Sequence, residues 1–259
     1  RSDTVMVRYK DDESIYHDEV FDIVLVTAPL GVLKAGKIRF EPQLPSSKRD
    51  ALERLQVGHQ NVIALIFESL FWPVKEDGSP TVLWEDEDRG ISMISMPHWN
   101  RPIVQVSFFG DSSKVLDSVD ASMLIPSLVE CLHSNFTEVS KVIGYVWAPW
   151  RSDPHCLGAH SYVPEAESSM LRTTIAEPLH IGRLGFAGEH THTTHASTIH
   201  GAYESGIREA RRIIDIFTEK NVGEFVFPFD IPSEPSMTSE LPWQNTSEEI
   251  QALQDSILD

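Results

Sequence analysis

Apolar residues recur along the chain with two different periods, and the switches between them mark the elements. Residues 4–9 (TVMVRY) alternate apolar and polar, which predicts a strand, and Asp11-Asp12-Glu13-Ser14 reads as a polar turn. Residues 22–27 (DIVLVT) form a near-continuous β-branched run, predicting a strand buried on both faces that Pro29 stops. After Pro42 and Pro45, Ser47 is placed to cap a helix whose Ala51, Leu52 and Leu55 share one face and which Gly58 ends. Further strands are predicted at 61–67 (NVIALIF), 81–84, 91–96, 103–109 (IVQVSFF) and 141–147 (KVIGYVW). Residues 117–136 carry Met123, Leu124, Leu128 and Leu132 at helical spacing, with Pro126 standing against an uninterrupted helix. The stretch 148–165, rich in Trp, His and Pro, predicts a loop. A short strand follows Gly182, then the polar run Glu189 to Ser197, then a long helix from Thr198 to Phe217. Arg208, Arg211 and Arg212 lie toward its C-terminal half, where the macrodipole favours cations.

Composition narrows the function classes. The chain has 259 residues, 41% of them hydrophobic and 23% charged, as in ordinary globular proteins. Acids outnumber bases 39 to 21, a formal charge of −18. That balance speaks against direct nucleic-acid binding and against an anionic membrane surface, and it suits a cationic ligand. No apolar run approaches the ~18 residues of a membrane span. Two cysteines, Cys131 and Cys156, exclude a disulfide framework and a cysteine-based zinc site. Past Lys220 the character changes: residues 221–259 hold eight acids, four prolines and no Lys or Arg. This reads as an acidic tail. Thr246 with Glu249 makes a capping box there, and Ile250, Leu253 and Ile257 share a helical face, so a short docking helix and a solvated terminus both stand. The first residue is Arg1, which predicts a processed chain or a piece of a longer one. There is no internal repeat.

Two features carry candidate chemistry. His190, His192, His195 and His200 fall within eleven residues. No H-x-x-x-H with a glutamate base occurs in that Thr-rich run, so the expectation is no metal, and a loop laying polar groups along a ligand instead. The second feature is the strand–loop–helix unit Gly185-Phe186-Ala187-Gly188-Glu189 through Thr198-Ile199-His200-Gly201-Ala202. Its small residues allow close backbone approach, and the helix start offers free N–H groups to negative charge on a ring or a phosphate. A glycine kept only for packing would look the same.

FAGEHT (Phe186–Thr191) followed by STIHGAYESGIREA (Ser197–Ala210) resembles the C-terminal flavin-binding signature of the flavin-containing amine oxidases, which include polyamine oxidases and flavin-dependent histone lysine demethylases. Further blocks agree in order. IVLVTAPLGVLK (Ile23–Lys34) resembles the exit from the flavin domain. Phe40–Trp72, with F-x-P-x-L-P, Lys48 and F-x-x-x-F-W, resembles the start of the substrate domain. PWRSDP and LGAHSY, between Trp147 and Tyr162, resemble the return into the flavin domain. The resemblance implies an α/β fold with part of a dinucleotide-binding domain (residues 1–34 and 148–217), a substrate domain with a mixed sheet (35–147) and the acidic tail (218–259).

It also implies FAD as cofactor and oxidation of an amine C–N bond, likened most to polyamine oxidation. Oxygen as acceptor would give aldehyde, amine and hydrogen peroxide. Gly188, Glu189, Thr198, Ile199 and Trp150 would hold the flavin, Glu189 at its ribityl or diphosphate region. Trp150, Tyr162 and His195 would serve catalysis, with Ser161 beside Tyr162. For Trp150 and Tyr162 the reading as ordinary core aromatics stays open.

Three departures bear on activity. No G-x-G-x-x-G occurs among the 14 glycines, so the partner implied is a missing N-terminal half of the same protein. Matching G-x-x-N-x-I-x-L-x-F puts Val62 where the family carries a lysine near the flavin. His160 and His195 stand where tyrosines are common. A non-catalytic flavin-binding or chromatin-associated member is therefore the alternative. The expected flavin is non-covalent, the substrate a small amine, the location intracellular.

Overall fold

A computed structural model describes residues 4–73, 81–86, 91–96, 101–163 and 168–220. The chain divides into two compact units, residues 1–216 and 217–259. Of the second, only its first four residues are described, so the expected acidic tail and its docking helix lie outside the described residues.

The first unit opens with an antiparallel hairpin of β1 (Val5–Lys10) and β2 (Tyr16–Phe21), in register from Val5 opposite Phe21 to Lys10 opposite Tyr16. The expected polar turn closes it: Ile15 N donates to Asp11 Oδ1 at 2.8 Å and Ser14 takes a left-handed φ of 64°. β2 was not legible because Tyr16–Phe21 has no apolar–polar alternation: His17, Asp18 and Glu19 run together, and the strand is mostly exposed.

β3 (Val24–Val26) pairs in parallel with β11 (Leu184–Phe186), Val24 opposite Leu184. The expectation of burial on both faces is corrected here. β3 is only half-buried, because β11 is its one strand partner among the described residues. Parallel strands are stable almost only inside larger covered sheets, so two strands by themselves are an open edge.

A small helical core joins the two halves of this sheet. α1 (Leu30–Lys34) follows Pro29, α2 (Ser46–Arg54) follows Pro45, and α1 and α5 (Ser168–Ala176) each pack against α2. Leu30, Leu33, Ala51, Leu52, Leu55, Leu171 and Ile175 are buried together. Ser47 does not cap α2; Pro45 occupies that position, without a side-chain hydrogen bond. Nor does Gly58 end it: Leu55 is already extended, and β4 (Gln56–Val57) starts there. α1 and α5 have no separate apolar stripe long enough to be read from sequence.

The second core belongs to a sheet in the order β6 (Thr81–Asp86), β7 (Ile91–Met96), β8 (Ile103–Phe109), β5 (Gln60–Phe67), β9 (Val142–Ala148). A mixed sheet was expected here, and every pairing among the described strands is antiparallel. Along β5 burial alternates strictly: Ile63, Leu65 and Phe67 are fully buried against Val104, Val106 and Phe108 of β8. The expected helix over 117–136 resolves into a 3₁₀ turn, Ala121–Leu124, and α4 (Ile125–His133). Pro126 sits in the first turn of α4, where no intrahelical N–H is needed, so it starts the helix instead of kinking it. α3 (Gly110–Leu116) begins at Gly110, directly after β8.

The chain returns through β10 (Ser161–Tyr162), which pairs with β4, and ends the unit on α6 (Ile199–Lys220). Among the described residues no helix is long and apolar enough to cross a membrane.

Candidate functional site

The site forms where three chain segments meet: the turn 149–162, the β4–β10 ladder, and the polar loop leading into α6. The turn is tied by its own backbone. Asp153 N and Ser152 N donate to Pro149 O, Leu157 N donates to Asp153 O, and Gly158 N closes the loop on Trp150 O at 2.9 Å. Gly158 has φ of 138°, and a Cβ there would stand 2.0 Å from Val57 Cγ1, so glycine alone lets the turn lie on β4. Gly58 N then donates to His160 O at 2.7 Å, and Ser161 pairs with Val57.

Glu189 clamps the polar loop onto β10. Its Oε1 accepts from Ser161 N at 3.0 Å, and its Oε2 accepts from Ser161 Oγ at 2.6 Å and from Ser197 N at 2.7 Å. Ser197 Oγ returns a hydrogen bond to Ser161 O. Arg172 of α5 is buried behind this knot and donates to Ser161 Oγ (2.6 Å) and to His190 O (3.3 Å). His190 is buried beside it, and desolvation pushes its pKa down to about 4, so the ring is neutral. Arg172 carried no sequence signal, and the parts His190 and Ser197 play here were not legible either, because each acts through contacts made by distant segments.

The start of α6 is built next to this clamp. Thr198 caps it, accepting from Gly201 N at 3.0 Å and donating to His195 O at 2.6 Å. A Cβ on Gly201 would fall 1.9 Å from His195 O, so the loop presses directly on the first turn. Gly188, at φ 137°, gives its N–H to Ser205 Oγ at 2.8 Å. Farther along, buried Glu209 accepts from Arg208 Nε (3.1 Å) and Arg212 Nε (2.8 Å). Arg208 Nη2 also donates to Phe186 O at 2.6 Å. Arg208 therefore ties α6 to β11, and Arg212 ties it to Gly182, besides whatever the helix dipole contributes.

Of the sequence candidates, Tyr162, Gly188, Glu189, His195, Thr198 and Ile199 come together around this clamp. Trp150 joins them through the turn it closes. Trp150, Tyr162 and Ile199 expose large apolar area, Ile199 at 91% of its maximum. The core-aromatic reading does not describe Trp150 or Tyr162. Exposed Ile199 is the first residue of α6, a helix end that favours negative charge.

Val62 sits mid-strand on β5, opposite Ser107 of β8 and Ala148 of β9. On its face Ser107 Oγ is buried with no hydrogen-bond partner among the described residues. Lys48, the lysine that precedes Val62 in the sequence, is occupied elsewhere. It is buried in α2 and donates to Thr174 O, Ile175 O and Glu177 O at 2.7–2.8 Å, over the Phe186 ring.

With this geometry in place, the comparisons are informative. Residues 1–214 match the profile of the family described as flavin containing amine oxidoreductase, and the chain belongs to that family. The cofactor expected from the sequence, FAD, is that of the family. The chain is 32% identical over 221 residues to lysine-specific histone demethylase 1 homolog 2 of Arabidopsis thaliana, a match covering 81% of this chain and 30% of the relative. It is 31% identical over 217 residues to the possible lysine-specific histone demethylase 1 of Drosophila melanogaster, covering 76% of this chain and 24% of the relative. The chain thus spans under a third of the length of these relatives. Among solved structures, cyclohexylamine oxidase from Brevibacterium oxydans IH-35A superposes with a TM-score of 0.64 at 18% identity, over 79% of this chain and 45% of that one. That likeness establishes the shared α/β fold.

Proposed function

We propose that this chain supplies the ring-holding part of an FAD site in an enzyme that oxidises an amine C–N bond. The observation that carries the reading is the Glu189 clamp. It ties Ser161, next to Tyr162, to Ser197 just before α6, with Tyr162 and Ile199 exposed. Bound FAD would supply the acceptor for a hydride equivalent from the carbon next to the amine nitrogen.

The chain's own residues hold and orient. The first-turn N–H groups of α6 stabilise negative charge at the ring edge, a helix-terminus effect of ~0.3–1 kcal/mol, more when partly buried. Thr198 fixes that turn, and Glu189 fixes the loop before it, keeping one lone pair on Oε1 for a ribityl hydroxyl. Trp150 and Tyr162 exclude water. His195, where a tyrosine is common, stacks at 5.2 Å on His192.

The diphosphate is left to another segment. The open parallel pair β3–β11 accepts further strands, and a glycine-rich βαβ unit, in an N-terminal half of the same protein, would complete both sheet and cofactor site. The substrate is an N-alkylated amine. A polyamine fits the acidic charge, and a methylated lysine side chain fits the names of the relatives. An intracellular setting, the nucleus included, suits both.

A second reading has its own observation. Val62 offers no group to hold a water or move a proton, and the Ser107 hydroxyl stands opposite it. A flavin-holding, non-catalytic or chromatin-associated protein would look like this. The test is peroxide release by the full-length protein with spermine, spermidine, their acetylated forms and a dimethyl-lysine peptide under air. Turnover of one class names the substrate. Flavin absorbance without bleaching by any of them selects the second reading, and a Val62→Lys variant that then gains turnover locates the loss at this residue.

A further inference from the structure

From the polar loop and the second turn of α6, we propose a divalent transition-metal site formed by His192, His195 and Glu204, of the class that takes Zn²⁺. The sequence offered two histidines three apart, and the glutamate beside them, Glu189, is engaged by Ser161 and Ser197. The fold brings in Glu204, nine residues beyond His195. Glu204 Oε2 lies 3.0 Å from His192 Nε2 and 2.7 Å from His195 Nδ1, and the three candidate ligand atoms fall within 4.8 Å of one another. Donors around one tetrahedral ion at ~2.0–2.2 Å stand roughly 3.3–3.6 Å apart, so small side-chain rotations bring the three atoms onto one ion.

The donor set selects the ion. Two imidazoles and one carboxylate suit Zn²⁺ and its late first-row neighbours, whereas Mg²⁺ and Ca²⁺ prefer oxygen alone. The surroundings orient the rings. His192 and His195 stack with 10° between their planes, and His200 lies against His195 at 4.7 Å. Glu204 and His195 are about half exposed, so an ion reaches the site from solvent and keeps water in its remaining positions.

The protons balance by tautomer exchange. Without an ion, His192 Nδ1 accepts from His195 N at 3.0 Å, so its proton rests on Nε2, toward Glu204. Coordination through Nε2 moves that proton to Nδ1 and frees the His195 amide. On His195 the proton moves from Nδ1 to Nε2. The ion replaces two N–H···O contacts to Glu204 with one shared charge, and the loop 192–195 becomes tied to α6.

The site makes no use of FAD, so its test is separate from that of the proposed function. The purified 259-residue chain is dialysed, titrated with Zn²⁺ by calorimetry, and assayed for bound metal. One ion per chain is expected. His192→Asn and Glu204→Gln, both folded by circular dichroism, are each expected to weaken binding at least tenfold, and Mg²⁺ is expected not to compete. No binding, or binding that neither variant changes, overturns the proposal. Zn²⁺ bound through other histidines of the chain would give that second result.

Discussion

Removing the Glu189 carboxylate should loosen the whole functional corner. In Glu189→Ala, Ser161 N and Ser197 N each lose an acceptor, and Ser161 Oγ keeps only its contact with Arg172. Hydrogen bonds to a charged acceptor contribute about 1.5–3 kcal/mol each, and the low end suits a half-buried carboxylate. Three of them at that end, discounted because they share partners, give a loss of about 3–4 kcal/mol. Glu189→Gln keeps one oxygen and turns an NH₂ toward an N–H donor, so its loss is about 2 kcal/mol. For a unit of this size that is a Tm lowered by ~10 °C and ~5 °C respectively. Urea unfolding gives the free energies, and amide exchange at Ser161 and Ser197 places them. Alanine and glutamine variants equal to each other, or either within 0.5 kcal/mol of wild type (roughly the scatter of ordinary surface substitutions), would refute the clamp.

Lys48 links stability to pH. Burial pushes its pKa down from 10.5 to about 8. Below pH 8 the folded and unfolded chains are both protonated and the desolvation cost is complete. Between 8 and 10.5 the unfolded chain holds a proton the folded one has shed, so stability rises with pH, by up to ~3 kcal/mol. Wild type should therefore gain on Lys48→Met between pH 7.5 and 10 in urea unfolding, and a gap independent of pH would contradict this. Gly201→Ala places a methyl against His195 O and should cost ~1–3 kcal/mol, while Gly206→Ala, with open space around it, should gain ~0.5–1 kcal/mol. Thermal melts of the pair measure both.

The elements with one clean period were legible in the chain: β5, β8, β9 and α6 stand within a residue or a few of where periodicity put them. So was the site's outline, because Gly188, Glu189, Thr198 and Ile199 lie in one contiguous block. What escaped depends on contacts between distant segments. Arg172 reaches Ser161 from a helix without a strong stripe, Glu204 meets His192 only after the loop folds back on α6, and Glu209 is buried between two arginines. Ser47 and Gly58 looked like helix boundaries by residue type. Pro45 and the β4–β10 ladder set those boundaries instead.

The most direct test is hydrogen exchange on the full-length protein, with and without FAD, read at the amides of residues 188–201. Slower exchange there on adding FAD, lost in Glu189→Ala, is what a loop holding the flavin ring predicts. FAD bound with these amides unchanged, and protection confined to some other segment, would contradict it.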